Sequence, residues 1–323
     1  MARYILAWDL GTGGNKASLY ELRGDCVAAV VVPYATHYPR PGWHEQRPLD
    51  WWNAVVESTH RLLAQTGVDG TEITCCSISG QSLGAVPLDR QGNLLRDRTP
   101  IWSDSRADTQ AASFFENIPP DVWYLKTGNG FPPPLYTAFK IMWYHDNEPR
   151  MFERIDKVVG SKDWINYKLT GCAVTDPSYA SGSGVFDLQQ WDYSQDLIAA
   201  TGLPRHIFPD IVPSTHVISD LAPRSAAALG LPRSVKVVSG GVDNSCMALG
   251  ARSTEAGRVY NSLGSSSWIA VSSTEPLVDK DAKPYVFAHV IPGLFTSAVS
   301  IFSAGSSFRW VRDQLCQNLV AQA

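Results

Sequence analysis

Short runs in which apolar and polar residues alternate open the chain, and a helical spacing replaces them further on. Two such runs flank a glycine-rich turn at 11–14, which predicts a β-hairpin, and a third run follows it. The strands predicted here are residues 4–8, 17–22 and 26–32. Between 49 and 63 the apolar residues recur on one face of a helix, and Asp50 is placed to cap it.

Strands and helices continue to alternate along the rest of the chain. Helical signals dominate between 99 and 190, and a final helix is predicted at 303–320. The further strands predicted are residues 72–78, 85–88 and 235–239. A second strand–turn–strand unit at 258–272 repeats the pattern of the first hairpin. Alternation of this kind predicts an α/β fold, and the length predicts two domains.

Charge and composition narrow the choice of partners. The 323 residues include 27 Lys and Arg against 31 Asp and Glu, a net charge of −4 with no long run of one sign. This balance favours a small neutral or mildly polar ligand and argues against nucleic acid or an anionic membrane. Asp9 comes too early for a secretory signal, and apolar runs are short, so a cytoplasmic protein is expected. The six scattered cysteines are interpreted as reduced packing residues.

The first turn, Asp9 to Lys16, is a candidate phosphate-binding loop. It does not open a helix as a dinucleotide-binding turn would, and Lys16 stands at the wrong offset for a P-loop. The third design is a hairpin turn whose backbone amides face an anion. Its glycines permit close approach of the backbone and unusual φ angles. Asp9 could then hold Mg²⁺ through water. The alternative is a plain tight turn.

Residues 80–84 match the Gly-x-Ser-x-Gly pattern of hydrolases, in which the serine is a nucleophile on a strand-to-helix elbow. Here an extended segment follows, so the hydrolase interpretation is disfavoured. Trp102, Asp104 and Arg106 form a second cluster with two interpretations. Asp104 could cap a helix, or the cluster could contact a carbohydrate through an aromatic face and polar hydrogen bonds.

Asp243 follows a buried-looking strand that ends in two glycines, and it precedes a short helical stretch. This position suits an N-cap residue. It equally suits a general base that removes a proton from a substrate hydroxyl during phosphoryl transfer.

In order along the chain, several motifs together resemble the FGGY family of carbohydrate kinases and its xylulokinase-like branch. They are Asp9-Leu-Gly-Thr, Gly42-Trp-His-Glu-Gln with Trp51-Trp52, Ser79-Gly-Gln, Trp102-Ser-Asp-Ser-Arg, Lys162-Asp-Trp, Gly240-Gly-Val-Asp-Asn and Ser262-Leu-Gly-Ser-Ser. The resemblance implies a duplicated actin-like, ribonuclease H-like α/β fold, a mixed sheet flanked by helices. It assigns residues 1–247 to a sugar-binding domain and 248–323 to an incomplete nucleotide-binding domain.

The resemblance also implies roles for individual residues in the ATP- and Mg²⁺-dependent phosphorylation of a small sugar. Asp243 would be the general base, and Asp9 would lie near Mg²⁺. The expected phosphate contacts are Gly11, Thr12, Gly13, Asn15 and Lys16 in the first loop and Gly264, Ser265 and Ser266 in the second. The expected sugar contacts are Gln81, Ser82, Leu83, Trp102, Asp104 and Asn244. A homodimer is a further expectation.

Two departures from the family pattern change what is expected. Ser82 and Leu83 stand where xylulokinases usually carry Met-His, so a different ketose or a polyol is as well supported as D-xylulose. Family members are also considerably longer, and their later part supplies the adenosine pocket. The alternatives are therefore a sugar-binding fragment without catalysis, or one part of a split kinase. An actin-like ATPase without sugar chemistry is disfavoured, because it would not need the cluster around Trp102.

Overall fold

The chain folds around two β-sheets that differ in size and in strand direction. A computed structural model describes residues 3–263, 267–301 and 303–316. The strands are β1 Tyr4–Leu10, β2 Gly14–Glu21, β3 Cys26–Pro33, β4 Glu45–Gln46, β5 Ile73–Gly80, β6 Val86–Leu88, β7 Thr99–Pro100, β8 Lys157–Val159, β9 Val174–Thr175, β10 Phe186–Asp187, β11 Asp192–Tyr193, β12 Asp210–Ile211, β13 Val217–Asp220, β14 Lys236–Val242, β15 Val259–Leu263, β16 Ser267–Ser273, β17 Tyr285–Ala288 and β18 Phe295–Ile301. The helices are α1 Pro48–Thr66, α2 Asp108–Phe115, α3 Pro120–Thr127, α4 Thr137–Asn147, α5 Pro149–Phe152, α6 Ser161–Thr170, α7 Pro177–Ala180, α8 Gln195–Thr201, α9 Pro223–Leu229, α10 Asp243–Gly250 and α11 Gly305–Leu315.

The larger sheet is mixed, with the strand order β13-β14-β5-β1-β2-β3. Strands β1, β5 and β14 are parallel neighbours, whereas β2, β3 and β13 pair antiparallel. The predicted hairpin and third strand are therefore confirmed as β1 to β3. Because parallel strands end at the same edge of a sheet, the residues after Leu10, Gly80 and Val242 come together.

Two helices cover one face of this sheet, and three tryptophans, one from the sheet and one from each helix, are buried where they pack together. Helix α1 lies against β2 and β3, and α6 lies against β5 and β14. Trp8, Trp51 and Trp164 are fully buried between them. The Trp8 indole N–H donates to Thr59 Oγ1 at 3.0 Å, so the ring's polar atom is satisfied inside the core.

The segment after β7 is mainly helical, as predicted, and has its own core. Phe114, Trp123, Tyr136 and Phe139 pack edge to face or tilted at the centre of it. The smaller sheet is antiparallel, in the order β15-β16-β18-β17, and contains the predicted second hairpin. No helix among the described residues is both long and apolar enough to span a bilayer.

Helix boundaries required corrections. Helix α1 begins at Pro48 after Arg47, so Asp50 lies in its first turn and is not the N-cap. Proline suits the first helical position because it has no N–H to leave unpaired. Asp104 caps no helix, because α2 begins only at Asp108. The last helix ends at Leu315 rather than 320, and residues 317–323 lie outside the described part.

Strand β14 contains a bulge just before its end. Ser239 and Gly240 together oppose Ile78 alone in the neighbouring strand β5. Gly240 has a φ of 71°, and a Cβ on it would lie 1.9 Å from the Ile78 carbonyl oxygen. Only glycine fits this position, and the bulge sets the direction in which the chain leaves the sheet.

We expect Gly240→Ala to lower the free energy of unfolding by about 3 kcal/mol, because it adds a backbone clash to the cost of a left-handed φ. Gly202→Ala is the matched control: Gly202 has a φ of 70°, and a Cβ there meets nothing within 4 Å. The control should cost about 1 kcal/mol. Urea unfolding followed by tryptophan fluorescence measures both, and equal losses would contradict the role assigned to the bulge.

Candidate active site

A cavity of about 230 Å³ lies at the edge where β1, β5 and β14 end. It is lined by Thr12, Ser82, Leu83, Trp102, Phe131, Asp243, Asn244, Ser267, Trp268 and Ser300. Six of these residues are sequence-predicted site residues: Thr12, Ser82, Leu83, Trp102, Asp243 and Asn244. The folded chain thus gathers residues that are more than two hundred positions apart into one pocket.

A second cavity, of about 640 Å³, extends from this edge along one face of the sheet, where Ala7, Ser18 and Ser77 line it. Asp9, Gly11, Lys16 and Ser79 are among its lining residues. Asp243 lines this cavity as well as the first. One carboxylate therefore stands in the wall that the two cavities share.

Asp243 is the first residue of α10 and directly follows β14. Burial raises the pKa of Asp243 to about 7; the N–H of Asn244, which donates to Asp243 Oδ1 at 2.8 Å, opposes the rise, and the negative charge of Asp9 adds to it. A carboxyl group with a pKa near neutrality can accept a proton from a substrate hydroxyl. Asp243 therefore brings a carboxyl group with a raised pKa to the wall of the first cavity.

Asp9 and Lys16 face each other across the β1–β2 pair. Lys16 Nζ lies 3.5 Å from Asp9 Oδ2, and Ser79 Oγ donates to Asp9 Oδ1 at 3.3 Å. No cluster of three or more His, Cys, Asp or Glu occurs in the described ranges, so no all-protein metal cage is present there. A single partly exposed carboxylate in a roomy cleft nevertheless fits Mg²⁺, which keeps several waters and shares its coordination with phosphates.

The glycine-rich turn lies between the two cavities. Gly11 lines the second cavity and Thr12 the first, and the Trp102 indole N–H donates to Thr12 Oγ1 at 2.9 Å. The expected unusual φ angles are absent, since neither Gly11 nor Gly13 has a positive φ. A Cβ on Gly13 would meet nothing within 4 Å, so this side of the turn is open to a ligand.

Comparison with known proteins shows the family of this chain. A model of the N-terminal domain of the FGGY family of carbohydrate kinases matches residues 4–250. The chain belongs to this family.

Individual relatives agree with this FGGY assignment. The xylulose kinase of Escherichia coli (strain K12) is 31% identical over 302 residues, which are 94% of this chain and 61% of that protein. That of Staphylococcus xylosus is 29% identical over 314 residues, 96% of this chain and 63% of the relative. The crystal structure of xylulose kinase from Rhodospirillum rubrum superposes with a TM-score of 0.90 at 29% identity, covering 98% of this chain and 64% of that one.

These matches confirm the expected actin-like α/β fold and the resemblance to the xylulokinase-like branch of the FGGY family. The chain spans a little under two thirds of the length of these relatives. The hydrolase interpretation is excluded, because β5 ends at Gly80 and the chain enters β6 at Val86 without a helix between them.

Besides the exposed Gly13, three buried residues predicted as ligand contacts in this FGGY chain line neither cavity. Asn15 is fully buried on the face of β2 opposite to Lys16, and its Nδ2 donates to Ser58 Oγ of α1 at 2.8 Å. Successive side chains of a strand point to opposite faces, so Asn15 and Lys16 cannot both face the ligand. Gln81 is buried behind the first cavity.

Asp104 is the third of the buried residues that line neither cavity. Its carboxylate accepts hydrogen bonds from Arg106 Nη2 at 2.7 Å and Nε at 2.8 Å, and from the backbone N–H of His44 at 2.6 Å. Arg106 in turn lies over the Trp43 ring, 4.0 Å from its centroid. The pair therefore braces the loop that carries Trp102, and of this cluster only Trp102 lines the first cavity.

Gln46 ends the Gly42-Trp-His-Glu-Gln motif, for which the sequence predicted no role, and it connects the two loops of the site. Its buried amide Nε2 donates to the Thr12 carbonyl at 2.7 Å and to Thr36 Oγ1 at 2.8 Å. Its Oε1 accepts from Trp51 Nε1 at 2.9 Å and from Gln81 Nε2 at 2.8 Å. All four hydrogen-bonding positions of the amide are used, so the glycine-rich turn and the loop after β5 are held in one arrangement.

Lys140 is a second residue that the sequence did not reveal. Its fully buried ammonium group donates to the Leu83 carbonyl at 2.9 Å and to the Ile101 carbonyl at 2.6 Å. Burial lowers the pKa of Lys140 to about 7. This side chain ties together the two segments that present Leu83 and Trp102 to the first cavity.

The second phosphate loop predicted for this FGGY chain, Gly264 to Ser266, lies outside the described residues. Its flanking strands β15 and β16 pair antiparallel as predicted.

We expect Gln46→Glu to lower the free energy of unfolding by at least about 2 kcal/mol, because a buried carboxylate oxygen would face the Thr12 carbonyl where an amide N–H now donates. Thr36→Val is the control, since it removes one partner of Gln46 at the half-buried rim and should cost about 1 kcal/mol. Urea denaturation compares the two. A Gln46→Glu variant as stable as Thr36→Val would rule out the connecting role of this amide.

Proposed function

We propose that this chain belongs to an enzyme that transfers the γ-phosphoryl group of ATP to a hydroxyl group of a neutral sugar. The observation that carries the proposal is the position of Asp243 in the wall shared by two cavities. One cavity has the chemistry of a sugar pocket, and the other has that of a nucleotide cleft. A base between them reaches both reacting groups.

The first cavity suits a small polyhydroxylated molecule. Trp102, Phe131 and Trp268 offer aromatic faces to the C–H groups of a sugar. Ser82 and Asn244 lie on its wall as hydrogen-bonding partners for hydroxyls, and Asp243 is the only ionisable group among the described lining residues. A pocket without a cation favours a neutral ketose or polyol over an acidic sugar.

Within this class, a ketose such as a pentulose is the first candidate. The relatives described above are named xylulose kinases, so D-xylulose heads the panel of ligands to be tested. Ser82 and Leu83 supply no imidazole to this pocket, however, so another ketose or a polyol is proposed on equal terms with D-xylulose.

The second cavity suits ATP with Mg²⁺. The glycine-rich turn around Gly13 would face the phosphates through its backbone amides, with Lys16 as a positive charge beside them. Asp9 would hold Mg²⁺ through a water molecule, and the ion would neutralise charge on the phosphate oxygens. Ser265 and its two neighbours, in the loop between β15 and β16, would complete the phosphate site.

In the proposed reaction the sugar hydroxyl attacks the γ-phosphorus, and ADP leaves. Asp243 accepts the hydroxyl proton as the new O–P bond forms. Trp102 and Asn244 hold the sugar so that the hydroxyl points at the cleft, and the turn amides stabilise negative charge on the transferred group. No covalent enzyme intermediate is required.

We further propose that residues 1–247 form the sugar-binding domain and that a nucleotide-binding domain begins at 248. A second candidate is that this chain is a sugar-binding piece or one part of a split kinase. Apolar side chains that are exposed on the second sheet and on α11 support this candidate. Leu263, Phe308 and Leu315 expose 72%, 71% and 70% of their surface. Such side chains suit a face that further polypeptide covers.

Asp243→Asn should lower sugar-dependent ADP formation by about 100-fold or more while calorimetric sugar binding stays within about threefold, because the amide keeps the shape of the side chain but accepts no proton. Asp196→Asn, an exposed acid in the first turn of α8, is the control and should change neither quantity. A panel of neutral ketoses and polyols supplies the ligands. Undiminished turnover would dismiss the base, and wild-type binding without turnover would favour the split-kinase alternative.

The pH profile gives an independent test of the base. Because Asp243 must be unprotonated and its pKa is raised to about 7, kcat/KM for the sugar should level off above about pH 7 and fall about tenfold for each pH unit below it. Measurement from pH 5.5 to 8.5 at saturating ATP resolves this. A profile that stays flat down to pH 5.5 would contradict the assignment.

A further inference from the structure

A buried cluster of charges lies behind the end of β14 and lines neither cavity. Lys162 Nζ contacts Asp163 Oδ1 at 2.5 Å and Asp176 Oδ1 at 2.9 Å, and all three side chains are at most 1% exposed. Although burial opposes its charge, the two carboxylates raise the pKa of Lys162 above its usual value. Buried charges of this kind hold one geometry, because any other would leave a charge unpaired.

This cluster is connected to the backbone of β14 where the bulge interrupts the strand. The Ser239 carbonyl accepts from Asn166 Nδ2 at 2.8 Å and lies 3.5 Å from Lys162 Nζ. At the end of the strand, the backbone N–H of Val242 donates to Ser178 Oγ at 2.9 Å.

Ser178 joins the two halves of this network. Its hydroxyl donates to Asp176 Oδ2 while it accepts from Val242. Val242 is followed directly by Asp243, so a single hydroxyl stands between the charge cluster and the backbone that carries the proposed base. Its side chain is fully buried, and no other described side chain hydrogen-bonds to that N–H.

We propose that Ser178 is a positioning residue for phosphoryl transfer. Its hydroxyl holds the backbone N–H of Val242 in a fixed position relative to the Lys162–Asp176 pair, and this orients Asp243 toward the sugar hydroxyl. This inference rests on the proposed function. The requirement is strict, because a reacting group displaced by about 1 Å can cost about 100-fold in rate. The bulge interrupts the regular pairing at Ser239 and Gly240, directly before Gly241 and Val242 pair again with β5, so the end of β14 depends on contacts beside the ladder as well.

The chain contains a matched control for this proposal. Ser214 Oγ donates to the same oxygen, Asp176 Oδ2, at 2.7 Å, but it does not contact Val242. Ser178→Ala and Ser214→Ala therefore each remove one hydrogen bond to Asp176, and only the first also releases the Val242 N–H. The Ser214 carbonyl accepts from the backbone N–H of Gly240, and Ser214→Ala keeps that backbone contact, so a difference between the two variants reports on the hydrogen bond to Val242.

Ser178→Ala should lower kcat between about 10-fold and 100-fold and leave KM for ATP within about twofold, whereas Ser214→Ala should keep kcat within about threefold. A loss of general stability would act on both variants alike. Amide hydrogen exchange provides a readout that needs no activity: the Val242 N–H should exchange at least about tenfold faster in Ser178→Ala and at the wild-type rate in Ser214→Ala. Ser178→Cys keeps the side chain's size with only a weak acceptor, so it should show the same losses if the alanine variant does not fold.

Equal kcat values and equal Val242 exchange in the Ser178 and Ser214 variants would overturn the inference. Unchanged exchange at Val242 in Ser178→Cys would overturn it as well. A wild-type chain that turns over no sugar would contradict the proposed function instead. The exchange rates of the Val242 N–H would then test the connection between Ser178 and Val242 without any measurement of activity.

Discussion

The parallel direction of β1, β5 and β14 is the constraint on which the site depends. It brings the ends of three distant strands to one edge, where Asp9, Ser82 and Asp243 come within reach of one another. Open α/β sheets bind their ligands at this edge, because the loops that leave the strands there are free to form a crevice. The two cavities meet at Asp243, at the end of β14.

Buried polar side chains convert these loops into a fixed site. Gln46 holds the glycine-rich turn, Lys140 holds the segments of Leu83 and Trp102, and Lys162 holds the end of β14. In a low-dielectric interior such hydrogen bonds are strong, and an unmade one is costly, so each group has few alternative positions. The loops that carry the ligand-facing side chains are therefore held in a defined arrangement.

The sequence predicted the parts of the fold and site that depend on neighbouring residues. Both hairpins and the placement of Asp243 after a buried strand followed from local patterns. The burial of Asn15, Gln81 and Asp104 away from the cavities did not follow from local patterns, because it depends on partners tens of residues away. The alternation of side chains between the two faces of β2 could have predicted that Asn15 and Lys16 lie on opposite faces. The motif that ends at Gln46 does not reveal the role of this residue, and no local pattern marks Lys140, because the partners of both side chains belong to other elements.

The most direct test of this account is a crystal structure of the chain with the neutral ketose or polyol that it binds most tightly. The account predicts the sugar against Trp102 and Trp268, with one hydroxyl oxygen about 3 Å from an Asp243 carboxylate oxygen and facing the cleft that contains Asp9. A sugar bound with no hydroxyl near Asp243, or bound outside this cavity, would contradict it.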